Sequence, residues 1–437
     1  MLVKPFERQV YALDQKINDR GIRVDLPFVY NAINFANRKS ETLIEQAREL
    51  TGLSNPNSVA QLKNWLEGND VLVDSLNKKA LAKLIGQTDD KRVEKVLRIR
   101  QQLGKSSVSK YTAMVRAVCS DSRVRGLVQY YGASRTGRWA GRIVQMQNLP
   151  QNKLKDLDLA RQLVAAGEFE LFDLMFDTFD TLSQLIRTAF VGVPEFTVAD
   201  FSAIEARVVA WFCGVAWRME VFATHGKIYE ASASEMFRIP MSEFEEYEAR
   251  GAKHPARQKG KVAELLLGYG GGVNALINGG ALDMGLQEHD LQPLVDAWRA
   301  ANPEVVAMWR ALESAAKACI RTGKETRAGY ITFKFARGCL LMVMPNRERA
   351  LTYQQARINR DGQIEYLGTD PDTKRWGIAT TWGGKLLENA AQAISRDVLA
   401  EAMLQADKQD IPIVLHVHDE IVADGDHLKP LLQITSR

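Results

Sequence analysis

The stretch Phe196-Thr197-Val198-Ala199-Asp200-Phe201-Ser202-Ala203-Ile204-Glu205-Ala206-Arg207 decides the fold prediction. Its first residues are β-prone, and apolar residues return at helical spacing over 204–212, so Asp200 lies at a predicted strand-to-helix junction. Ser202 and Glu205 also form an S-x-x-E capping box, in which both side chains satisfy free N–H groups at a helix start. Taken alone, the stretch fits such a cap better than a catalytic carboxylate, because caps are common.

The totals describe an ordinary globular chain of 437 residues, with 46% hydrophobic and 25% charged residues. This length predicts roughly two to four domains. The four cysteines are far apart and include no C-x-x-C pair, so neither a disulfide framework nor a zinc site is indicated, and a reducing compartment is expected. The N-terminus has no apolar core of signal-peptide length, and no apolar run approaches the length of about 18 residues that a membrane span needs. We therefore expect a cytoplasmic protein without a membrane partner.

The net charge of +4 conceals a strong asymmetry. Residues 91–142 hold 13 basic and 2 acidic residues, whereas 1–90 hold 12 of each and 143–437 hold 32 basic and 39 acidic ones. Such a block is usually a solvated face, but on a nearly neutral chain it favours a polyanionic partner. A phosphate backbone is the obvious candidate, with Arg100 and Lys105 as predicted DNA contacts.

The first 110 residues predict an elongated helical arm, with helices at 28–50, from Asn57-Ser58 onward, and from about 91 to 103. A β-prone run at 127–131 and a loop rich in glycine, arginine and amide side chains follow, over 132–150. This loop is either a solvated turn or a nucleic-acid contact. Four of its side chains carry donors that suit the acceptor atoms of a DNA minor groove, namely Arg138, Gln145, Gln147 and Asn148.

Four residues spaced four apart form one stripe on a predicted helix: Arg257, Lys261, Leu265 and Tyr269. One interpretation is an exposed amphipathic helix closed by a glycine C-cap. The other is a surface that holds a triphosphate at its cationic end and stacks a base at its aromatic end.

The pattern turns β-like over 329–381, with a hairpin predicted at Asp361-Gly362, and returns to helix over 386–404. On the polar side of that helix we expect Gln392, Arg396 and Asp397, most simply as solvated residues.

Two β-prone runs over 412–424 predict a hairpin that carries His418, Asp419 and Glu420 at or near its turn. Adjacent acids on a turn are usually solvated. Here the flanking strands are apolar enough to be buried, and carboxylates at the edge of a core are costly unless a cation offsets them.

Two-metal phosphoryl transfer uses all these features at once. It needs carboxylates from different strands that hold two Mg²⁺ ions about 4 Å apart, and Asp200 and Asp419 supply such a pair.

With these motifs in view, the chain resembles the polymerase region of family A DNA polymerases, the group that includes bacterial DNA polymerase I, and particularly its phage-type members. The resemblance covers nearly the whole chain in order. The matching segments are Asn57-Ser58 with Gln61-Leu62, Thr136-Gly137-Arg138, Gln147 to Pro150, Asp200 to Arg207, Arg257 with Lys261, Tyr269 and Gly270, Gln392 to Asp397, and His418-Asp419-Glu420. Each is weak alone, but together, in order and with correct internal spacing, they are highly specific.

The resemblance implies an α+β right-hand polymerase architecture, in which a helical thumb and fingers surround a palm with an antiparallel sheet. Its implied domains are the thumb at 1–125, the palm at 126–212 and 329–437, and the fingers at 213–328. It further implies primer-template DNA and dNTPs as partners, in a bacterial cell or a phage-infected host. A separate exonuclease and replisome proteins are further candidate partners.

Roles carry over residue by residue from the resemblance. Asp200 and Asp419 would bind two Mg²⁺ ions, with Mn²⁺ as a candidate substitute, and Glu420 would lie nearby. Arg257 and Lys261 would grip the triphosphate, and Lys261 is a candidate to protonate the departing pyrophosphate. The remaining roles are Tyr269 beside the templating base, Glu205 against a ribose 2′-hydroxyl, Gly268 and Gly270 to Gly272 as hinges, and Arg138, Gln147, Gln392 and His418 in the primer minor groove.

Several positions depart from the family pattern. Leu265 stands where an aromatic residue is usual, which affects the expected discrimination against dideoxynucleotides, and Tyr229 replaces a customary histidine. The β-like stretch 329–381 is longer than its bacterial equivalent. Only 17 residues follow Glu420, compatible with a truncated tail, and no upstream segment holds a 3′→5′ exonuclease domain, so we expect no proofreading from this chain.

The sequence thus predicts a DNA-templated DNA polymerase. A single-subunit RNA polymerase shares the stripe of Arg257, Lys261 and Tyr269, but it needs room for the 2′-hydroxyl, against which Glu205 argues. A non-catalytic DNA-binding subunit that keeps the fold has no need of metal ligands, so the presence of both Asp200 and Asp419 argues against it.

Overall fold

The computed structural model describes residues 4–105, 108–149, 152–346, 349–370, 373 and 375–435, so Pro150 lies outside the described residues. The N-terminal part is helical apart from one short strand pair. Its elements are α1 (Pro5–Arg20), β1 (Ile22–Arg23), α2 (Leu26–Thr51), α3 (Val59–Glu67), α4 (Lys78–Gln87), α5 (Lys91–Leu103), α6 (Ser109–Ala117) and β2 (Arg123–Val124), which pairs with β1. The helices predicted at 28–50, from Asn57-Ser58 and at 91–103 are confirmed.

Side-chain caps fix four of these helix starts. The capping side chains, each of which accepts a hydrogen bond from a backbone amide in the first turn, are Asp25 of α2, Ser58 of α3, Asn77 of α4 and Asp90 of α5. The helices α3, α4 and α5 then close a small apolar core of their own around Leu62, Leu66 and Leu97.

The middle of the chain alternates a hairpin, helices and one strand. Its elements are β3 (Val128–Ala133), β4 (Arg138–Gly141), a short 3-10 helix (Met146–Asn148), α7 (Leu157–Ala166), α8 (Phe169–Met175), α9 (Thr178–Leu185), a second 3-10 helix (Ile186–Ala189) and β5 (Phe196–Asp200).

A run of helices follows. These are α10 (Ile204–Cys213), α11 (Ala216–Ala223), α12 (Ile228–Phe237), α13 (Met241–Ala249), α14 (Ala256–Leu266), α15 (Val273–Asn278), α16 (Glu288–Ala301) and α17 (Pro303–Thr322). Among the described helices, none is both long and apolar enough to cross a membrane.

The last part contains most of the strands. Its elements are β6 (Thr326–Ala328), β7 (Ile331–Ala336), β8 (Cys339–Val343), β9 (Ala350–Ile358), β10 (Ile364–Thr369), β11 (Trp376–Thr381), α18 (Gly383–Lys408), β12 (Ile413–Val417), β13 (Glu420–Asp424) and α19 (Leu428–Thr435). The strands β6 to β11 form one antiparallel sheet in sequence order, which confirms the β-like prediction for 329–381 and the hairpin at Asp361-Gly362.

A second antiparallel sheet has the order β12-β13-β5, and it brings together segments more than 200 residues apart. One face of this sheet packs with α1, α18 and α19 around Leu13, Met403 and Ile421. The helix α1 therefore packs against the sheet that bears the predicted catalytic acids.

Three expectations about local structure are wrong. Ser202 and Glu205 form no capping box: α10 is preceded by Ala203 at φ 56°, and no side chain caps its start. No glycine caps α14, because its C-terminal cap is Leu267 in a right-handed conformation and Tyr269 lies beyond the helix.

The third concerns α18. Arg396 is 2% exposed, and Asp397 lies beside it with a side chain that is 12% exposed, so neither is a solvated residue.

Candidate active site

The predicted acids converge at one end of the three-stranded sheet. Strand β13 pairs with β5 so that Glu420 lies opposite Asp200, and the turn that precedes β13 consists of His418 and Asp419. The Phe201 amide donates to the Asp419 carbonyl at 3.2 Å, which holds the two chain segments together beyond the last strand pair. The hairpin predicted over 412–424 is confirmed.

The arrangement is electrostatically unfavourable without a cation. Burial raises the pKa of Asp419, and the nearby charge of Asp200 raises it further. Burial and the charges of Asp200 and Asp419 also raise the pKa of Glu420, and the charge of Arg187 only partly opposes this. Three carboxyl groups at one sheet end therefore repel one another, and a bound cation would relieve that repulsion.

The acids lie between two clefts. Asp419 lines a central cleft of about 850 Å³, whereas Asp200 lines an outer cleft of about 920 Å³ together with Arg207 and Lys429. The central cleft contains most of the predicted DNA and nucleotide contacts. These are Arg138, Gln145, Gln147, Asn148, Glu205, Leu265, Tyr269, Gln392 and His418.

A chain of polar contacts crosses the central cleft. The Tyr269 hydroxyl donates to one carboxylate oxygen of Glu205 at 3.1 Å, and Arg138 Nη1 donates to the other at 2.8 Å. Burial and the charge of Glu205 raise the pKa of Tyr269, so its hydroxyl stays a donor. The segment after α14 is thereby tied to α10 and to the β3–β4 hairpin.

The helix α14 packs closely against α12 at neighbouring positions. An added Cβ on Gly260 would lie 2.1 Å from the Tyr229 carbonyl oxygen. Arg257 donates to the Glu230 carboxylate and lies 5.4 Å from the Tyr229 ring. Lys261 is half-buried, and neither cation lines the central cleft.

The β3–β4 hairpin and the residues after it form one wall of the central cleft. An added Cβ at Gly141 would lie 1.9 Å from Gln147 Oε1, so a side chain at position 141 would displace the Gln147 amide. His418 Nε2 lies 3.2 Å from the Gln147 carbonyl oxygen, and Gln392 contacts Glu388 at 3.5 Å. The four predicted minor-groove residues all line the central cleft: Arg138, Gln147, Gln392 and His418.

The basic block is largely engaged within the fold. Lys105 forms ion pairs with Asp177 and Asp180 at 3.4 and 3.0 Å, and Arg100 donates to the Asn57 side chain. Neither residue lines the central cleft. Their roles in DNA binding stay predictions.

Sequence reasoning missed a buried charge network beneath the β3–β4 hairpin. Arg396 donates two hydrogen bonds to Glu7, at 2.7 and 3.0 Å, and lies 4.8 Å from the Trp139 ring. The Trp139 indole donates to Asp14 at 2.9 Å, and its ring contacts His416 edge-on. The available signal was Arg396 itself, a charged residue within a 26-residue helix whose neighbours are mostly apolar.

The donor set fits a pair of Mg²⁺ ions completed by substrate. No group of three or more His, Cys, Asp or Glu side chains among the described residues is arranged to hold a metal by itself. Magnesium in phosphoryl-transfer sites is held by one or two carboxylates together with substrate phosphates and water. Asp200, at the end of β5, and Asp419, in the adjoining turn, would supply that protein share.

Comparisons with known proteins agree with this geometry. The family model described as DNA polymerase family A matches residues 31–350. The "DNA polymerase" of Bacillus phage SP02 is 49% identical over 427 residues, which cover 96% of this chain and 65% of that relative. The chain thus spans 65% of the length of the curated relative that it matches.

A solved structure is also similar: the POL domain of Pol1 from M. smegmatis in complex with DNA primer-template and dNTP. The match has a TM-score of 0.59 at 18% identity and covers 99% of this chain and 65% of that one. At this identity the likeness concerns the fold, and it confirms the predicted α+β right-hand architecture. The bounds of thumb, palm and fingers stay predictions.

Proposed function

The chain belongs to DNA polymerase family A, and from this premise we propose that it extends a DNA primer on a DNA template with dNTPs, by two-metal-ion nucleotidyl transfer. One observation carries the proposal: Asp200 ends β5 opposite Glu420, and Asp419, directly before Glu420, lines the cleft that also contains Arg138, Glu205 and Tyr269.

Asp200 and Asp419 are the proposed holders of two Mg²⁺ ions, for which Mn²⁺ is a candidate substitute. When bound, such ions activate the attacking primer hydroxyl and stabilise the leaving oxygen. Glu420 lies beside the pair, and its proposed part is to keep the strand end negatively charged. The mutual repulsion of these carboxylates supports a cation-binding role.

The nucleotide would meet α14. Arg257 and Lys261 are the proposed contacts of the triphosphate, and Lys261 is also proposed to donate a proton to the departing pyrophosphate. For Arg257 this means exchanging the Glu230 carboxylate for phosphate oxygens, which a guanidinium binds in the same fork geometry. Leu265 and Tyr269 supply the apolar and aromatic surface for sugar and base.

Glu205 is the proposed gate against a ribose 2′-hydroxyl. Its two carboxylate oxygens are occupied by Tyr269 and Arg138, which hold the side chain in one position. A fixed carboxylate excludes an added hydroxyl better than a mobile one, since less movement is available to make room.

The primer terminus would lie against the β3–β4 wall. Arg138, Gln147, Gln392 and His418 are the proposed minor-groove contacts, where purine N3 and pyrimidine O2 atoms accept hydrogen bonds at every base pair. Contacts of this kind test the shape of a base pair rather than its sequence. Further proposed DNA contacts are Gln145, Asn148, Arg100 and Lys105.

The test is primer extension on a defined template by the parent and by Asp200→Asn and Asp419→Asn. Both substitutions keep the side-chain volume and remove the charge, so we expect no extension above background with folding intact. Glu195→Gln is the matched control, because Glu195 is an exposed acid directly before β5. Full activity in either aspartate variant would sink the proposal.

Two alternatives remain distinguishable in the same assay. A single-subunit RNA polymerase would prefer rNTPs over dNTPs on one primed template. A non-catalytic subunit would bind DNA without Mg²⁺ and extend no primer under any condition. The proposal is that dNTPs are incorporated and rNTPs largely rejected.

A further inference from the structure

The strand β11 carries a row of exposed apolar side chains. Trp376 is 58% exposed, Ile378 62% and Trp382 49%. Trp382 continues the extended conformation of the strand, at φ −145° and ψ 174°, so these alternate residues point to one face. We call Trp376, Ile378 and Trp382 the β11 row.

The β11 row lies on the exposed face of its strand, not on the face that packs on the core. Thr381, on the other face of β11, is buried at 3% exposure. Among the described strands β11 pairs on one side only, with β10, where Leu367 lies opposite Ile378 and adds to the same face. Clustered exposed side chains of this size indicate a binding surface.

One end of the row lies beside the proposed templating position. An added Cβ on Gly270 would be 3.6 Å from the Trp382 indole nitrogen, and one on Gly384 would be 2.1 Å from the Tyr269 carbonyl oxygen. The row therefore begins next to Tyr269 and runs outward along the sheet edge. Trp376 and Ile378 are two residues apart, about 6.7 Å along the strand, whereas Ile378 and Trp382 are four apart, about 13 Å, with the exposed Thr380 between them.

The charges on this face do not oppose a nucleic acid. Glu365 lies opposite Thr380 on the same face, and Arg357 pairs with it at 3.0 Å. Asn359 also donates to Glu365, at 3.1 Å. Arg375 is exposed directly before Trp376, at the outer end of the row. The acid is offset, and a cation is available for a phosphate.

We propose that the β11 row binds the unpaired template strand ahead of the primer terminus, by stacking bases of that strand on Trp382, Ile378 and Trp376. The proposal rests on the polymerase function and names the path of its template. Aromatic and apolar platforms accept any base, because every base has a π-face, so the surface would hold template of any sequence.

The test measures dissociation constants, by fluorescence anisotropy, for three labelled primer-templates without dNTP. The template extends one nucleotide beyond the primer in the first and about six in the second, within the usual reach of a single-strand site. The third has a template overhang as long as that of the second, but every overhang nucleotide beyond the first is an abasic site. We expect the parent to bind the second DNA tightest.

Substitution should erase that preference. Trp376→Ala is expected to bind the second DNA about tenfold more weakly than the parent, in line with the measured worth of one stacked base, and the other two DNAs unchanged. Trp376→Phe should retain most of the preference. Leu174→Ala, which removes an apolar side chain that is 83% exposed on α8, is the control and should match the parent.

Each outcome is decisive. Equal binding of the second and third DNAs by the parent overturns the inference without reference to any variant, and so does an unchanged preference in Trp376→Ala. A dimer that Trp376→Ala dissolves, with DNA preference unaltered, would assign the row to a second copy of the chain instead. If the parent extends the primer on the first DNA, whose template overhang is one nucleotide long, the polymerase function stands even where the inference fails.

Discussion

Replacing Arg396 by methionine should destabilise the protein by about 3 kcal/mol, because it leaves Glu7 buried without its main partner. The Arg396 side chain is 1% exposed and that of Glu7 9%. Burial raises the pKa of Glu7, but the hydrogen bonds and charge of Arg396, aided by Tyr130, outweigh it and hold the pKa below its ordinary value. The carboxylate is therefore charged in the folded protein.

The magnitude follows from what remains after the substitution. Removing one partner of a buried pair typically costs about 3–5 kcal/mol. Glu7 would keep its contact with the Tyr130 hydroxyl and would lie 4.0 Å from Arg349, which places the cost at the lower end. Methionine keeps most of the apolar stem and its packing on Trp139, so the change reports mainly on charge.

The assay is urea unfolding followed by tryptophan fluorescence, with Glu7→Gln and the double variant completing a cycle. We expect the double variant to lose at least about 1 kcal/mol less than the sum of the single variants. Arg98→Met is the matched control: its partner Glu94 is one helical turn away and the Arg98 side chain is 59% exposed, so about 0.5 kcal/mol or less is expected. Equal costs for Arg396→Met and Arg98→Met, or additive losses in the cycle, would refute the reasoning.

Three further predictions concern the cleft and its supports. Glu205→Ala should raise the ratio of rNTP to dNTP incorporation at least about tenfold in single-nucleotide extension, and this ratio should change more than the rate of dNTP incorporation does. An unchanged ratio would show that Glu205 takes no part in sugar selection. Burial lowers the pKa of His416 to about 4, below the unfolded value of about 6.5. The free energy of unfolding should therefore fall by roughly 3 kcal/mol in total as the pH drops from about 6.5 to about 4. In urea titrations at a series of pH values, His416→Gln should make this pH dependence weaker. Gly260→Ala should separate α14 from the Tyr229 carbonyl and raise the KM for dNTP. Gly86→Ala on α4, where an added Cβ meets nothing within 4 Å, should leave that KM unchanged, and equal KM values for the two variants would contradict the close packing.

Much of the fold was readable from local patterns. The hairpin around His418 and Asp419 follows from two β-prone runs flanking a charged turn, and the β-like character of 329–381 from β-prone runs separated by turn residues. The helix starts at Ser58 and Asp90 follow from capping chemistry within three residues. Such signals act over one turn or one strand, so the sequence displays them directly.

The sequence-based prediction was wrong where a tertiary contact competed with a local capping pattern. Ser202 and Glu205 have the spacing of a capping box, but the Glu205 carboxylate bonds to Tyr269 and Arg138 instead. The Ser202 amide donates to the Asp200 side chain at 3.2 Å, and the backbone at Ser202 and Ala203 turns through positive φ. A carboxylate with two stronger partners, one of them charged, does not serve a helix end.

By itself the sequence determined the local elements, the order of the motifs and the residue types at each site, because periodicity, turn chemistry and spacing are properties of neighbouring residues. Only the tertiary structure decided which side chains share a contact. Glu7 and Arg396 meet across 389 positions, and Arg138 and Glu205 across 67. Their pairing is set by how α1, α18, α10 and the β3–β4 hairpin pack, and Asp200 likewise has Asp419 as its neighbour only because β13 lies beside β5.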